Sequence, residues 1–418
     1  LFGWAVQYKA KGGPRGGVIG DIVLELAKFP EPAVRLLEEG ISQQLEPQKL
    51  SYEHSNSLKY FDDGFDDQGT LLVSGYSTEQ KISTAYLYDI DYESIIHEWN
   101  IPYEKIVEGS SFVRGPNERS AYRTQHPLLL DDGSLVFSSG EGPLVRIDAC
   151  GKHQWTIDRH FHHSIERSPS GTIFAGIVVE PPRVKAGEPP LDLRDDGFAE
   201  VSLDGTVLRE WSVTDILKRH GYDGLLYGVG PYEEDRIHMN DATPIWENDE
   251  FVQKGDVMIS ARQISTVFVY RPSTDEIVWL QTGPWLNQHD VRYLGDGEFT
   301  VFGNGLVRSK TGHGNSTLRG YSTVWHYDQA IGEVRPHVSL EEADIYAPTQ
   351  GRQRPLPNGD VFVENSNKGK LFRVSSDGRL RWRYVRSVGP DQIGALHWSR
   401  YLTPEEADFP WLSSITCD

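Results

Sequence analysis

The sequence predicts an all-β protein: a six-bladed β-propeller over residues 56–418, preceded by a short helical lead-in over residues 1–55. Three observations support this fold. Aromatic residues and 41 glycines favour strands and turns over long helices. From about residue 60 onward, one unit of short strands and turns recurs six times. Five of the six copies close with a tryptophan. Repeated units of four short strands are typical of a propeller, because no unit can bury its own faces.

The six copies share a turn, an apolar run, a second run and a second turn. They begin at Asp67-Gln-Gly, Asp132-Gly, Ser170-Gly, Lys254-Gly, Asp296-Gly and Asn358-Gly. The closing tryptophans are Trp99, Trp155, Trp211, Trp279 and Trp382. We expect these tryptophans to pack between blades rather than to contact a ligand.

The lead-in differs from the repeats. Residues 21–29 and 32–40 are expected to form two short helices, the second with Pro32 in its first turn and Gly40 at its end. Two polar insertions, after Glu180 and after Asn304, are either solvated loops or part of a binding face.

Composition excludes several classes of function. The formal net charge of −20 disfavours nucleic acid and anionic membranes as partners. No apolar run is long enough to span a membrane. The two cysteines, Cys150 and Cys417, are too few for a disulfide scaffold or a zinc cluster, although one bridge between them is possible. The chain starts at Leu1 rather than at Met, which suggests a removed export segment and a periplasmic or secreted protein.

Histidines recur at one place in the repeat. His163 and His289 each precede their turn glycine by eight residues, and His126 precedes Gly133 by seven. These residues head the first strand of their units, and the first strand of a propeller blade is the innermost. We therefore expect the imidazoles to meet at one mouth of the central channel. His238 and Asn240 occupy the same place in the fourth copy, on one face of an extended segment.

Arginines are expected at the same mouth: Arg262 follows the second strand of the fourth copy, and Arg352 or Arg354 enters with the sixth. Three chemistries are compatible with such a pocket. Metal binding is disfavoured, because the sequence has no HExxH motif and guanidinium groups repel a metal ion. Proton abstraction from a sugar acid would use His or Tyr beside Arg. Transfer of an anionic group would use one His as the nucleophile and Arg on the oxygens.

Several motifs, taken in order, resemble the bacterial arylsulfate sulfotransferases, which need no nucleotide sulfate donor and have a six-bladed propeller. The resemblance covers roughly residues 120–380. The matching motifs are His162-His163-Ser-Ile-Glu, His238-Met-Asn240, Ser260-Ala-Arg262, Gln288-His289-Asp and Phe302-Gly-Asn-Gly.

The resemblance implies a ping-pong transfer of a sulfuryl group without a cofactor or a metal. His289 would attack the sulfur of an aryl sulfate and become a sulfohistidine. Arg262, His238 and Asn240 would stabilise the sulfuryl group. His163, or its neighbour His162, would protonate the leaving phenolate and deprotonate the acceptor phenol. Further residues expected to contact the substrate are His126, His162, Arg352 and Tyr346.

Two other functions remain open on the sequence. One is a carbohydrate-active propeller, such as a lyase on a uronic-acid or sulfated polysaccharide, with His163 or His289 acting beside Tyr122 or Tyr346. The other is a propeller without catalysis, in which the histidines are structural or bind a ligand or a single ion. The expected partners are therefore an aryl sulfate and a phenol, or an anionic saccharide. The sequence does not indicate an oligomeric state.

Overall fold

The computed structural model of the protein describes residues 45–47, 57–113, 119–184, 193–228, 233–307, 316–389 and 392–417. Within these ranges the regular structure is almost entirely β, with 29 strands and three short α-helices. The helices predicted over residues 21–29 and 32–40 lie outside the described residues.

Of the first five strands, the last three form an antiparallel meander, and the first two belong to other sheets. The strands are β1 (Leu45–Pro47), β2 (Ser57–Tyr60), β3 (Thr70–Ser77), β4 (Ile82–Asp89) and β5 (Ser94–Trp99). β3 and β4 are buried along nearly their whole length, whereas β5 is mostly exposed. The meander therefore runs outward from the centre of the molecule. Helix α1 (Tyr103–Glu108) and a 3-10 turn (Arg119–Ala121) follow.

The next strands form one seven-stranded sheet. They are β6 (Gln125–Leu129), β7 (Leu135–Ser138), β8 (Gly142–Ile147), β9 (His153–Arg167), β10 (Ile173–Val178), β11 (Asp196–Val201) and β12 (Val207–Ser212). β9 has 15 residues; its first part pairs with β8 and its second part with β10. One strand thus ends the second repeat and begins the third.

Two helices and two four-stranded sheets come next. Helix α2 (Val213–Arg219) begins where Ser212 accepts a hydrogen bond from the Asp215 amide, and helix α3 (Asp223–Tyr227) follows it. The sheets contain β13 (Met239–Pro244), β14 (Val257–Ala261), β15 (Thr266–Arg271) and β16 (Glu276–Thr282), then β17 (His289–Gly295), β18 (Glu298–Gly303), β21 (Thr323–Asp328) and β22 (Glu333–Ser339). A 3-10 turn (Arg262–Ile264) follows β14, and the short strands β19 (Leu306–Val307) and β20 (Ser316–Thr317) pair with each other.

The last strands complete the ring. They are β23 (Arg352–Pro355), β24 (Val361–Asn365), β25 (Lys370–Val374), β26 (Leu380–Val385), β27 (Ser387–Gly389), β28 (Gln392–Gly394) and β29 (Arg400–Leu402). β23–β26 form a sheet to which β2 adds a fifth, outer strand, and β1, β28 and β27 form a small sheet of their own. Two further 3-10 turns span Ser366–Lys368 and Pro410–Ser413.

This arrangement confirms the predicted β-propeller. The predicted count of six separate blades is not confirmed, because the strands do not form six separate sheets. The second and third repeats are joined into one sheet by β9, and only three sheets have four strands. The physical reason is the length of β9, which carries the ladder through from one repeat to the next without a break.

The closing tryptophans pack as predicted. Trp99 and Trp382 are fully buried, and Trp155, Trp211 and Trp279 are partly buried against hydrophobic clusters. The described residues contain six such clusters, each shared by strands of repeats that are neighbours in the ring. Burial of apolar surface between repeats therefore holds the ring together.

The ring is closed by strands from both ends of the described chain. β29 near the C-terminus pairs with β3, Arg400 lying opposite Leu72, and so supplies the innermost strand of the first sheet. β2 pairs with β26 of the last sheet. A disulfide joins Cys150 to Cys417, so the C-terminal segment is also tied covalently to the turn after β8.

A buried carboxylate, Asp67, connects the segments that meet at this closure. It is 2% exposed and accepts hydrogen bonds from Arg373 (2.6 Å) and Trp382 (2.6 Å) of the last sheet. It also accepts one from the Tyr401 hydroxyl of β29 (2.7 Å) and one from the Gly69 amide (3.0 Å). Since an unpaired buried charge is costly, each of these groups depends on the others for its stability.

We expect Asp67→Ala to lower the free energy of unfolding by about 3–5 kcal/mol, because it leaves the Arg373 guanidinium buried without this partner. The adjacent, exposed Asp66 is the matched control, and Asp66→Ala should change stability by no more than about 0.5 kcal/mol. Urea denaturation of both variants measures the difference. Equal stabilities would show that Asp67 does not hold the closure.

Candidate active site

Four histidines converge at the heads of the innermost strands. The His163 ring lies 5.0 Å from that of His238, 5.9 Å from that of His126 and 6.5 Å from that of His289, measured between ring centroids. All four belong to different repeats. The structure thus brings together the imidazoles that the repeat register places at one end of the channel.

A shared backbone conformation directs three of these side chains. His126, His163 and His238 have φ angles of 53°, 52° and 47°, in the left-handed region that non-glycine residues seldom adopt. His126 and His163 lie where the strand register shifts, and the His126 amide donates to the carbonyl of His397 at 2.9 Å. The same local turn therefore recurs at the head of each of these strands.

The tautomer of His289 follows from its hydrogen bonds. The side-chain amide of Asn304 donates to the carbonyls of Ala347 (2.8 Å) and Gln350 (2.7 Å), so its oxygen is left to accept. That oxygen lies 2.7 Å from His289 Nδ1, which must carry the proton. His289 Nε2 then carries a lone pair, which accepts a hydrogen bond of 3.2 Å from the Gln350 amide.

The surroundings keep His289 neutral. The side chain is 1% exposed, and burial lowers its pKa well below the ordinary range. The positive charge of Arg262 lowers the pKa further, whereas the hydrogen bond to Asn304 opposes the shift. A neutral imidazole with a fixed Nε2 lone pair has the form that a nucleophile requires.

His238 has a carboxylate partner. Its Nδ1 donates to Asp235, three residues earlier in the chain. Burial and Arg262 lower the pKa of His238, and Asp235 counteracts them in part. The Nε2 atom is therefore the one left for a substrate.

Arg262 is placed by the turn that follows β14. Its amide donates to the His238 carbonyl at 3.3 Å. The fully buried Gln288, next to His289, donates from Nε2 to the Ala261 carbonyl (3.2 Å) and the Thr266 carbonyl (3.1 Å). The position of Arg262 is thereby coupled to that of His289.

His163 belongs to a chain of polar groups. The Nδ1 atoms of His162 and His163 are 2.9 Å apart, so one of them donates to the other. His162 Nε2 lies 3.4 Å from a carboxylate oxygen of Asp196. Burial would raise the pKa of Asp196, but His162 and Arg194 outweigh it and hold that pKa below its usual range. Since the contact with His162 uses Nδ1 of His163, Nε2 is the His163 nitrogen that is left for a substrate.

Comparison with known proteins now places the chain. The sequence profile of the arylsulfotransferase (ASST) family matches residues 126–387, more than half of the chain and all four histidines. The chain belongs to the arylsulfotransferase family.

Solved structures resemble the protein only loosely. A Bacteroides caccae protein of unknown function shares 13% identity, with 80% of this chain and 99% of that chain covered and a TM-score of 0.48. TolB from Acinetobacter baumannii shares 12% identity over 81% of this chain and 68% of its own, with a TM-score of 0.47. The Dos1 propeller shares 9% identity over 82% and 75%, with a TM-score of 0.40. No curated protein matches the chain.

Some residues that were predicted to contact the substrate are engaged with other protein groups instead. Asn240 uses its amide to donate to the Gln288 carbonyl at 2.6 Å, so it holds the backbone that leads to His289. His126 stacks on Trp398 with 4.3 Å between centroids, at the edge of the cluster. Arg352 lies deeper in the channel and pairs with Glu166 at 3.1 Å. The alternative cation Arg354 is engaged with Glu406.

The tyrosines offered for a lyase differ in position. Tyr122 lies in the hydrophobic cluster between the first two repeats, where burial raises its pKa, and not beside the histidines. The Tyr346 hydroxyl is buried and has no hydrogen-bond partner among the described residues. Of the two tyrosines, Tyr122 is thus held within an apolar cluster.

Some site residues were missed from the sequence. Asn304 belongs to the Phe302-Gly-Asn-Gly motif, which the sequence analysis identified. Its role as the hydrogen-bond acceptor for His289 Nδ1 was not predicted. Asp235, three residues before His238, could have been found as a carboxylate near a histidine. Asp196 and Trp398 carry no local signal, because only the closed ring brings them near. Within the described ranges, no group of three or more His, Cys, Asp or Glu residues is arranged to hold a metal ion.

We expect His289 to stay neutral with the proton on Nδ1 at about pH 5.5, since its lowered pKa keeps the uncharged form stable below the ordinary histidine range. Histidine-labelled ¹H–¹⁵N NMR spectra report the tautomer directly. Asn304→Leu should mix the two tautomers, because it removes the Nδ1 acceptor. A His289 signal that titrates near pH 6.5 in the unaltered protein would contradict this assignment.

Proposed function

We propose that the protein transfers a sulfuryl group from an aryl sulfate to a phenolic acceptor, with His289 as the covalent carrier. The observation that carries the proposal is the fixed lone pair on His289 Nε2, beside the charge of Arg262. His289 lies within the residues that match the arylsulfotransferase family. Each remaining group then has a role that its geometry allows.

In the first step, the Nε2 lone pair of His289 attacks sulfur, and the bond between sulfur and the phenolic oxygen breaks. The imidazole ring gains positive charge as the N–S bond forms. Asn304 supports that charge, because its oxygen accepts a hydrogen bond from Nδ1–H, with 2.7 Å between nitrogen and oxygen. The hydrogen bond from the Gln350 amide to Nε2 must be given up as sulfur approaches.

Arg262 and His238 would hold the sulfuryl oxygens. A guanidinium suits planar recognition of oxyanions better than an ammonium does. His238 would donate from Nε2 as an imidazolium, which a bound sulfate ester favours because a nearby negative charge raises the pKa of a histidine. Asp235 supports the same protonated form through Nδ1.

His163 would protonate the departing phenolate and later take the proton of the acceptor phenol. Burial and the neighbouring histidines lower its pKa well below the ordinary range. A bound sulfate ester would raise the pKa of His163 again and favour its charged form, which gives its proton to the phenolate; the neutral ring that results accepts the proton of the acceptor phenol. His162 and Asp196 orient the ring from behind.

We infer that the protein works in a periplasmic or extracellular compartment. The Cys150–Cys417 disulfide supports this location, because such bonds persist in oxidising compartments. None of the helices in the described part of the chain has the length and apolar character of a membrane span.

Turnover of 4-nitrophenyl sulfate with phenol as the acceptor tests the proposal. We expect acceptor-dependent release of 4-nitrophenolate, and a loss of about 10³-fold or more in His289→Ala. Arg262→Lys should lose about 10²-fold, because an ammonium cannot reproduce the planar contact. The matched control is His220→Ala, at the end of helix α2, which should retain the full rate.

Wild-type rates in His289→Ala would exclude His289 as the carrier. A folded protein that releases no nitrophenolate with any phenol would exclude transfer from this aryl sulfate.

A further inference from the structure

A large cavity lies away from the histidines. It has a volume of about 820 Å³ and is lined by the C-terminal ends of innermost strands, including Leu129 of β6, Leu294 of β17, Pro355 of β23 and Leu402 of β29. The histidines stand at the opposite, N-terminal ends of such strands. The cavity therefore opens at the other mouth of the channel.

A layer of charged side chains forms the inner end of this cavity. Glu166 forms ion pairs with Arg400 at 2.8 Å and with Arg352 at 3.1 Å, and it lies 3.5 Å from Arg292. Arg292 also pairs with Asp290 at 2.9 Å. Arg292, Arg352 and Arg400 all line the cavity.

The layer contains more guanidinium groups than ionised carboxylates. Three guanidinium groups face the carboxylates of Glu166 and Asp290. A third carboxylate, Asp241, has its pKa raised to about 7, mainly by burial and by Asp290, so it is only partly ionised at neutral pH.

Arg352 is the least compensated cation of the layer. It is only 4% exposed, and its Nη1 has no hydrogen-bond partner among the described residues. Burial, Arg292 and Arg400 lower the pKa of Arg352 to about 9. Arg400, by contrast, donates to Glu166 and to the carbonyls of Pro127 and Ile165.

The walls and the rim differ from this inner layer. Trp246 and Leu294 line the cavity and are 53% and 42% exposed. The arginines nearer the rim are already neutralised, since Arg354 forms a two-pronged pair with Glu406 and Arg167 does so with Asp131. The lining also includes the carboxylates of Glu405 and Asp408, so an anion would find open positive charge at the inner end of the cavity.

We propose that this cavity is a second binding site, for an organic monoanion with an aromatic or apolar body. The anionic group would meet Arg352 and Arg292, and the body would pack on Trp246 and Leu294. This site does not depend on the proposed sulfuryl transfer. It is connected to the histidines by packing, because Arg352 lies over the Trp398 ring (5.4 Å) on which His126 stacks.

Binding of 2-naphthoate, a carboxylate that has no sulfuryl group to transfer, tests the site by isothermal titration calorimetry. Leu294→Glu places a negative charge at the mouth and should weaken binding about fivefold or more. The matched control is Leu208→Glu, a similarly exposed leucine that does not line the cavity, which should leave the affinity unchanged. Arg352→Gln should weaken binding about tenfold or more, through loss of charge-assisted hydrogen bonds.

Arg262→Gln separates this site from the histidine cluster. We expect it to leave 2-naphthoate binding within about twofold of the unaltered protein, since Arg262 does not line the cavity. Loss of binding in Arg262→Gln together with unchanged binding in Leu294→Glu would place the anion among the histidines and overturn the proposal. Absence of saturable binding to the unaltered protein would overturn it as well.

Discussion

Closure of the ring is the constraint on which the rest of the structure depends. The innermost strands can bring His126, His163, His238 and His289 together only if the first and last repeats are joined. That joint is made by β29 on β3 and by Asp67, which binds Arg373, Trp382 and Tyr401 at once. Structural residues far from the site thus determine the distances between the catalytic candidates.

Much of the fold could be predicted because each repeat is specified by residues close together in the sequence. A turn glycine, two apolar runs and a closing tryptophan identify each repeat, and Trp99 and Trp382 are buried between repeats as their positions predict. The closure could not be predicted this way. β29 has only three residues, and its partner β3 lies more than 300 residues earlier in the chain. The continuous ladder through β9 was missed for a different reason: Trp155 marks the close of the second repeat, but the residues between Trp155 and His163 include no glycine or proline that would end the strand.

In the candidate site, too, some features could be predicted from the sequence and others could not. The histidines could be found because the repeat register places them in equivalent positions. Their chemical states could not, since these depend on partners from distant segments: Asn304 fixes the tautomer of His289, and Asp196 lies behind His162. Arg352 was expected at the histidine mouth because it heads β23. Its pairing with Glu166 draws the guanidinium along the channel instead, to a layer of charge that no single repeat reveals.

The central claim is that His289 carries the sulfuryl group, and intact-protein mass spectrometry tests it most directly. The protein would be incubated with 4-nitrophenyl sulfate without an acceptor, then digested and mapped at neutral pH. We expect one added SO₃ group on the peptide that contains His289, lost when phenol is added and absent in His289→Ala. An SO₃ group on a different residue, or continued transfer with no labelled protein at any time, would contradict the claim.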